Sequence, residues 1–151
     1  MRPIKSLIVH CSDSGFGDAA TIRKWHKEER GWSDIGYHHV ILNGHRRSAG
    51  IFKFEDDGLL EAGRAESLIG SHAEGLNATS IGICLIGKTE FTPAQFKTLA
   101  MLLRTLRLQY PEAAIFGHCS ADAFGGMARG KTCPNFDVAA FVAKSVDVKE
   151  A

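Results

Sequence analysis

The chain has 151 residues, 44% of them hydrophobic and 23% charged, a balance that suits one packed domain over residues 1–151. Eighteen Lys and Arg against seventeen Asp and Glu leave a formal net charge of +1, which excludes a chain-wide field of the kind that gathers nucleic acid or an anionic membrane. Four cysteines (Cys11, Cys84, Cys119 and Cys133) in a chain that opens without a secretion signal argue against a disulfide framework.

The first apolar stretch, Leu7–Cys11, is too short for a signal-peptide core or a membrane span and reads as a strand. The expectation is a protein that is cytoplasmic as synthesised, with no membrane insertion. Asp18 is placed to cap a helix that runs to about Arg30, with Ile22, Trp25 and Glu29 at helical spacing and Gly31 as its stop. Further strands are expected at Tyr37–Leu42, Ile51–Phe54 and Leu59–Glu61. Between them, Asn43-Gly44 and Asp57-Gly58 are hairpin-turn signals that flank the basic run His45-Arg46-Arg47. That run reads as a solvated double hairpin, the alternative being a contact with an anionic polymer.

Ser80–Ile86 is a continuous apolar run in which Cys84 reads as a buried, inert thiol. Thr92-Pro93-Ala94-Gln95 is a capping box with Pro at the first helical position, and Phe91 and Phe96 are spaced for a hydrophobic staple. Phe96, Leu99, Leu103, Leu106 and Tyr110 then mark one helical face, which Pro111 ends. A last strand is expected at Ala114–His118, and a last helix starts at Asp137 with Phe136 and Phe141 as its staple. Strands interleaved with amphipathic helices give an α/β layered fold.

Two histidines close strands: His10 the first and His118 the last. The carboxyl ends of strands form the ligand crevice of open α/β sheets. Cys133 follows after a flexible glycine-containing stretch long enough to return to that crevice. Two imidazoles and a thiolate suit zinc and leave a fourth position for water, whereas a strand-end histidine taken singly is an ordinary polar residue. Lys131, two residues before Cys133, would put an ammonium beside such a metal, where it favours thiolate and a developing oxyanion. Tyr37 is either a half-buried strand aromatic or a hydroxyl at the rim of the sheet.

Further segments carry a family resemblance. They are Val9-His10-Cys11-Ser12, Ile22-Arg23-Lys24-Trp25-His26-Lys27, Gly31-Trp32-Ser33-Asp34-Ile35-Gly36-Tyr37-His38 and Glu61-Ala62-Gly63-Arg64. Gly70-Ser71-His72-Ala73, the run Asn77–Gly87, Phe91-Thr92-Pro93-Ala94-Gln95 and Lys131–Asp137 continue the series in order. From about Ile8 to Val142 the chain resembles the lysozymes of T-odd coliphages, which are N-acetylmuramoyl-L-alanine amidases, and through them the peptidoglycan recognition proteins. The resemblance implies an α/β fold with a mixed central sheet of about five strands, helices on both faces, and a shallow zinc-containing groove. It implies one zinc ion per chain on His10, His118 and Cys133, with Tyr37 and Lys131 as catalytic residues; His72, in the Ser-His-Ala stretch that the family keeps beside the metal, is either a groove contact with substrate or an ordinary polar loop residue.

The expected function is zinc-dependent hydrolysis of the amide between N-acetylmuramic acid and L-alanine, by a phage or prophage endolysin. The expected partner is bacterial peptidoglycan, met by a monomer after holin-dependent release, with no role for nucleic acid. Two other readings compete. A peptidoglycan-binding module without catalysis would lack the metal-binding cysteine, and Cys133 is present. A Cys–His hydrolase using Cys133 and His118 leaves His10 without a role. The chain departs from the family in a longer Leu42–Glu61 segment, in the glycine-rich stretch after His118, and in a short N-terminal arm. The polymerase-inhibiting activity that the arm serves in the phage lysozymes is therefore not carried over. His38 reads as packing or as support for the site, His26 and His39 as structural or surface residues, and His45 as part of the added hairpin.

Overall fold

The computed structural model describes residues 2–147; Met1 and residues 148–151 of the expected 1–151 domain lie outside the described residues. Five strands, β1 (Ser6–Cys11), β2 (His39–Asn43), β3 (Asp57–Ala62), β4 (Ser80–Leu85) and β5 (Ala114–Gly117), form one sheet in the order β3-β2-β4-β1-β5. β1 pairs in parallel with β4 and β5, β2 pairs in parallel with β4, and only β2 and β3 run antiparallel. The sheet is mixed and buried at its centre, which is why β1 and β4 are apolar without alternation.

Alternation still decides which helix each side chain meets. Leu7, Val9, Ile41, Ile81, Ile83 and Leu85 face α2 (Pro93–Gln109) and α3 (Val138–Phe141). Val40, Leu42, Cys84 and Ile86 face α1 (Ala19–Arg30). Each helix begins where its sequence directs. The Asp18 carboxylate accepts from Thr21 N–H, and Gly31 takes the left-handed conformation that ends α1. In α2 the capping box is complete, since Thr92 Oγ1 accepts from Gln95 N–H while Gln95 Oε1 accepts from Thr92 N–H. The buried Gln95 also donates to the carbonyls of Ile41 at 3.1 Å and Ile86 at 2.9 Å, tying the helix to the ends of β2 and β4. The two staples pack as ring pairs, Phe91–Phe96 at 6.0 Å and Phe136–Phe141 at 6.2 Å.

The segment after β2 differs from the expected double hairpin. Ile51–Phe54 is not a strand: residues 51–53 are irregular and Phe54–Asp56 form a 3₁₀ turn. Asp57-Gly58 is no turn but the start of β3, so there is one hairpin with a long loop and a bulge between Ile41 and Asn43. Arg46 explains the departure. Its guanidinium reaches Asp18, Asp56 and Glu61 at 2.9–3.1 Å, drawing the loop across to the N-terminus of α1 and away from a sheet edge. Gly58 has φ +77°, and a Cβ there would stand 2.8 Å from the Ala94 carbonyl oxygen, so β3 needs glycine to pass under the first turn of α2. Smaller shifts occur at two site residues. Tyr37 precedes β2 rather than opening it, and His118 starts the 3₁₀ helix His118–Phe124 immediately after β5.

Two buried histidines brace the loop between α1 and β2. His26 Nδ1 accepts from Gly36 N–H at 2.9 Å, and His38 Nδ1 accepts from Gly82 N–H at 3.0 Å. Burial lowers both imidazoles from 6.5 to about 4. The unfolded chain therefore binds protons that the folded chain refuses, and stability falls as pH drops from 6.5 toward 4. Urea midpoints of metal-free protein measured across that window are expected to decline well above the carboxylate range; a flat profile would contradict this. Gln95→Leu removes the side-chain donor from the Ile86 carbonyl and leaves the Ile41 carbonyl with Ile86 N–H alone, and is expected to cost about 1–3 kcal/mol in urea unfolding, against no loss if those bonds are idle.

Candidate active site and metal centre

The alternation of β1 puts His10 on the same side of the sheet as Ile8, which packs with Ala73, Leu76, Phe116, Ala121 and Ala128, and its pairing with Cys84 makes this the side that α1 covers. Above it opens a groove of about 760 Å³. His118 comes to His10 because β5 lies beside β1 and the 3₁₀ helix starts where β5 stops. The two imidazole centroids are 4.7 Å apart.

Cys133 arrives from the far side of a loop stitched to both elements. Cys119 N–H donates to the Cys133 carbonyl at 2.9 Å, Cys11 N–H donates to Cys133 Sγ at 3.1 Å, and Asn135 Nδ2 donates to the Lys88 carbonyl at 2.6 Å. One donor atom each from His10, His118 and Cys133 then lies within 4.8 Å of the others. The glycine-rich stretch before it is packed rather than loose. Met127 N–H donates to the Glu74 carbonyl, Ala128 N–H to the Asp122 carboxylate, and Arg129 grips Glu74 through two bonds at 2.6 and 2.8 Å.

The chemistry of this donor set fits a metal ion. Burial, reinforced by His72, His118 and Lys131, drives the pKa of His10 well down, and burial with Lys131 lowers that of His118. Both imidazoles are thus neutral at neutral pH, with a lone pair available. Cys133 and Cys11 form a coupled pair of thiols. The hydrogen bond with Cys133 draws Cys11 down to about 7, while that same bond and burial push Cys133 up. A cation held against Cys133 reverses its preference, since a coordinating thiol is deprotonated outright.

Tyr37 and Lys131 both line the groove. The Tyr37 ring stands 5.1 Å from that of His10, and burial beside the Cys84, Cys133 and Cys11 thiols raises its pKa well above the ordinary value, so it stays a phenol. Lys131 is exposed at the rim. His72 also lines the groove but is largely covered, with Nδ1 2.9 Å from His10 Nε2 and Nε2 3.2 Å from Ser80 Oγ.

Among the groove residues that escaped the sequence reading are His26, Arg30 and Trp32. The Trp32 ring packs edge-on to His26 at 4.7 Å and under the Arg30 guanidinium at 5.1 Å. The available signal was the four-residue step 22–26–30, which carries the buried stripe of α1 directly onto the groove. His39 pairs with Glu66, as a structural histidine does. Cys84 is fully buried, as its apolar run implies.

A family model described as N-acetylmuramoyl-L-alanine amidase matches residues 1–136. The endolysin of Klebsiella phage KP32 is 38% identical over 146 residues, covering 87% of this chain and 81% of the phage protein. The endolysin of Escherichia phage T7 is 38% identical over 144 residues, covering 88% and 82%. Among solved structures, the N-acetylmuramoyl-L-alanine amidase LysC from Clostridium intestinale superposes with a TM-score of 0.76 at 29% identity, over 98% of this chain and 88% of that one. A five-stranded mixed sheet with helices on both faces is thus shared with an amidase, and the chain belongs to the N-acetylmuramoyl-L-alanine amidase family.

Proposed function

We propose that the chain, a peptidoglycan amidase of the phage endolysin kind, cuts the bond between the N-acetylmuramoyl lactyl group and L-alanine with one zinc ion on His10, His118 and Cys133. The observation that carries this is the convergence of two neutral imidazoles and a thiol within 4.8 Å on the floor of an open groove, with a phenol and an ammonium among the groove's lining residues. Zinc, when bound, supplies Lewis-acid polarisation of the scissile carbonyl and acidifies a water toward neutral pH.

The chain's own groups do the rest. Tyr37, kept protonated by burial, donates a hydrogen bond that orients water or the carbonyl oxygen. The Lys131 ammonium, at the rim of the groove, stabilises negative charge as it develops on that oxygen. No helix among the described residues is long and apolar enough to cross a membrane. In this reading the protein works as a single-domain monomer, made in the cytoplasm and reaching the cell wall when a holin-like partner releases it.

Purified protein incubated with peptidoglycan is expected to release L-alanine amino groups, with no new reducing sugar ends, and to stop when a chelator removes the metal. Chelator-resistant cleavage would favour a Cys133–His118 hydrolase, and wall binding without cleavage a recognition module. Lys131→Ala removes an exposed side chain, so folding is expected to persist while turnover falls on the order of 10²–10³-fold. Activity within about threefold of the unaltered protein would remove Lys131 from the catalytic role.

A further inference from the structure

We propose that His72 is a positioning residue for the metal centre, holding His10 so that it offers Nδ1 to the ion, rather than a contact for substrate. The inference rests on the reading of His10, His118 and Cys133 as the zinc site. Its basis is a run of three buried polar side chains: His10 Nε2 to His72 Nδ1 at 2.9 Å, then His72 Nε2 to Ser80 Oγ at 3.2 Å. Neutral imidazoles allow only two proton arrangements along such a run. If Ser80 donates inward, His72 donates to His10 Nε2, and the His10 proton sits on Nδ1, leaving no lone pair for a metal. If His10 donates outward through Nε2–H, His72 passes its own Nε2–H to Ser80, and His10 Nδ1 is free. Metal binding selects the second arrangement, and a ligating histidine whose other nitrogen is anchored in this way is a recurring feature of zinc sites.

The surroundings are built to keep that ring in place. A Cβ on residue 82 would lie 2.6–2.8 Å from three atoms of the His72 ring, so Gly82 in the middle of β4 leaves the space the ring occupies. Gly70 also leaves room for the ring, since a Cβ there would lie 2.9 Å from His72 Cδ2. The Asn77 side chain accepts from both His72 N–H and Ala73 N–H, at 2.9 and 2.8 Å. Arg2 in turn bonds the carbonyls of Ser80 at 2.8 Å and Asn77 at 3.3 Å, fastening the segment that carries the whole arrangement. With 9% of its surface exposed and both ring nitrogens engaged inside the protein, His72 has little left to offer a ligand in the groove.

Zinc affinity separates this role from a structural one. The zinc-free chain and its His72→Phe, His72→Asn and Cys133→Ala variants are titrated against a chromophoric chelator, with thermal unfolding of each metal-free protein alongside. His72→Phe is expected to weaken zinc binding roughly 10–100-fold. His72→Asn, whose Oδ1 replaces the Nδ1 acceptor, is expected to recover most of it. Unchanged affinity in His72→Phe, with Cys133→Ala impaired, overturns the positioning role alone; unchanged affinity in Cys133→Ala overturns the metal site beneath it. Should His72→Phe not fold, nitrogen NMR of the zinc-loaded unaltered protein decides the matter. A proton on His10 Nε2 supports the inference, and a proton on Nδ1 overturns it.

Discussion

β1 runs through the interior of the sheet, hydrogen-bonded to β4 on one edge and to β5 on the other, and everything at the site follows from that position. A strand fixed on both edges cannot slip in register, because a one-residue shift would carry Ile8 and His10 to the opposite face and expose Leu7 and Val9 to the wrong layer. His10 is therefore placed by backbone pairing, before any side-chain contact is considered. Its two partners are delivered by what adjoins β1: His118 by β5, and Cys133 by a loop bonded to Cys11 and Cys119.

Around this fixed point the protein uses histidine in two ways. His26 and His38 have accepted backbone N–H groups and act as braces, which is why they are buried and neutral without bearing on chemistry directly. His10 and His118 are buried and neutral with a ring nitrogen each within 4.8 Å of the Cys133 thiol, the arrangement on which the proposed metal site rests. The physical state is the same in both cases, and only the partner differs. Burial costs a histidine its charge, and the fold turns that cost into either a hydrogen-bond acceptor or a metal donor.

Local rules were legible wherever the signal was local. The cap at Asp18, the stop at Gly31, the capping box at Thr92 and both phenylalanine staples stand as the sequence directs. The 44–58 segment was not, because the force that shapes it joins Arg46 to carboxylates twelve or more residues away on either side as well as to Asp56. Turn signals at Asn43-Gly44 and Asp57-Gly58 are also ambiguous by nature: Gly58 serves close packing under α2, not a reversal of the chain. The residues that line the groove from α1 were missed for a related reason. A helix stripe that ends at a site has the same periodicity as one that ends in a core. The convergence of His10, His118 and Cys133 was legible because strand ends and family resemblance pointed to the same positions, and spacing alone did not join them.

The account turns on whether one zinc ion is bound by these three side chains. X-ray absorption at the zinc edge, on the purified protein loaded with one equivalent, reads that first shell directly. The account predicts two imidazole nitrogens at about 2.0–2.1 Å and one sulfur at about 2.3 Å, with one lighter donor completing four. A shell without sulfur, or one with two sulfurs that brings Cys11 in beside Cys133, would contradict it.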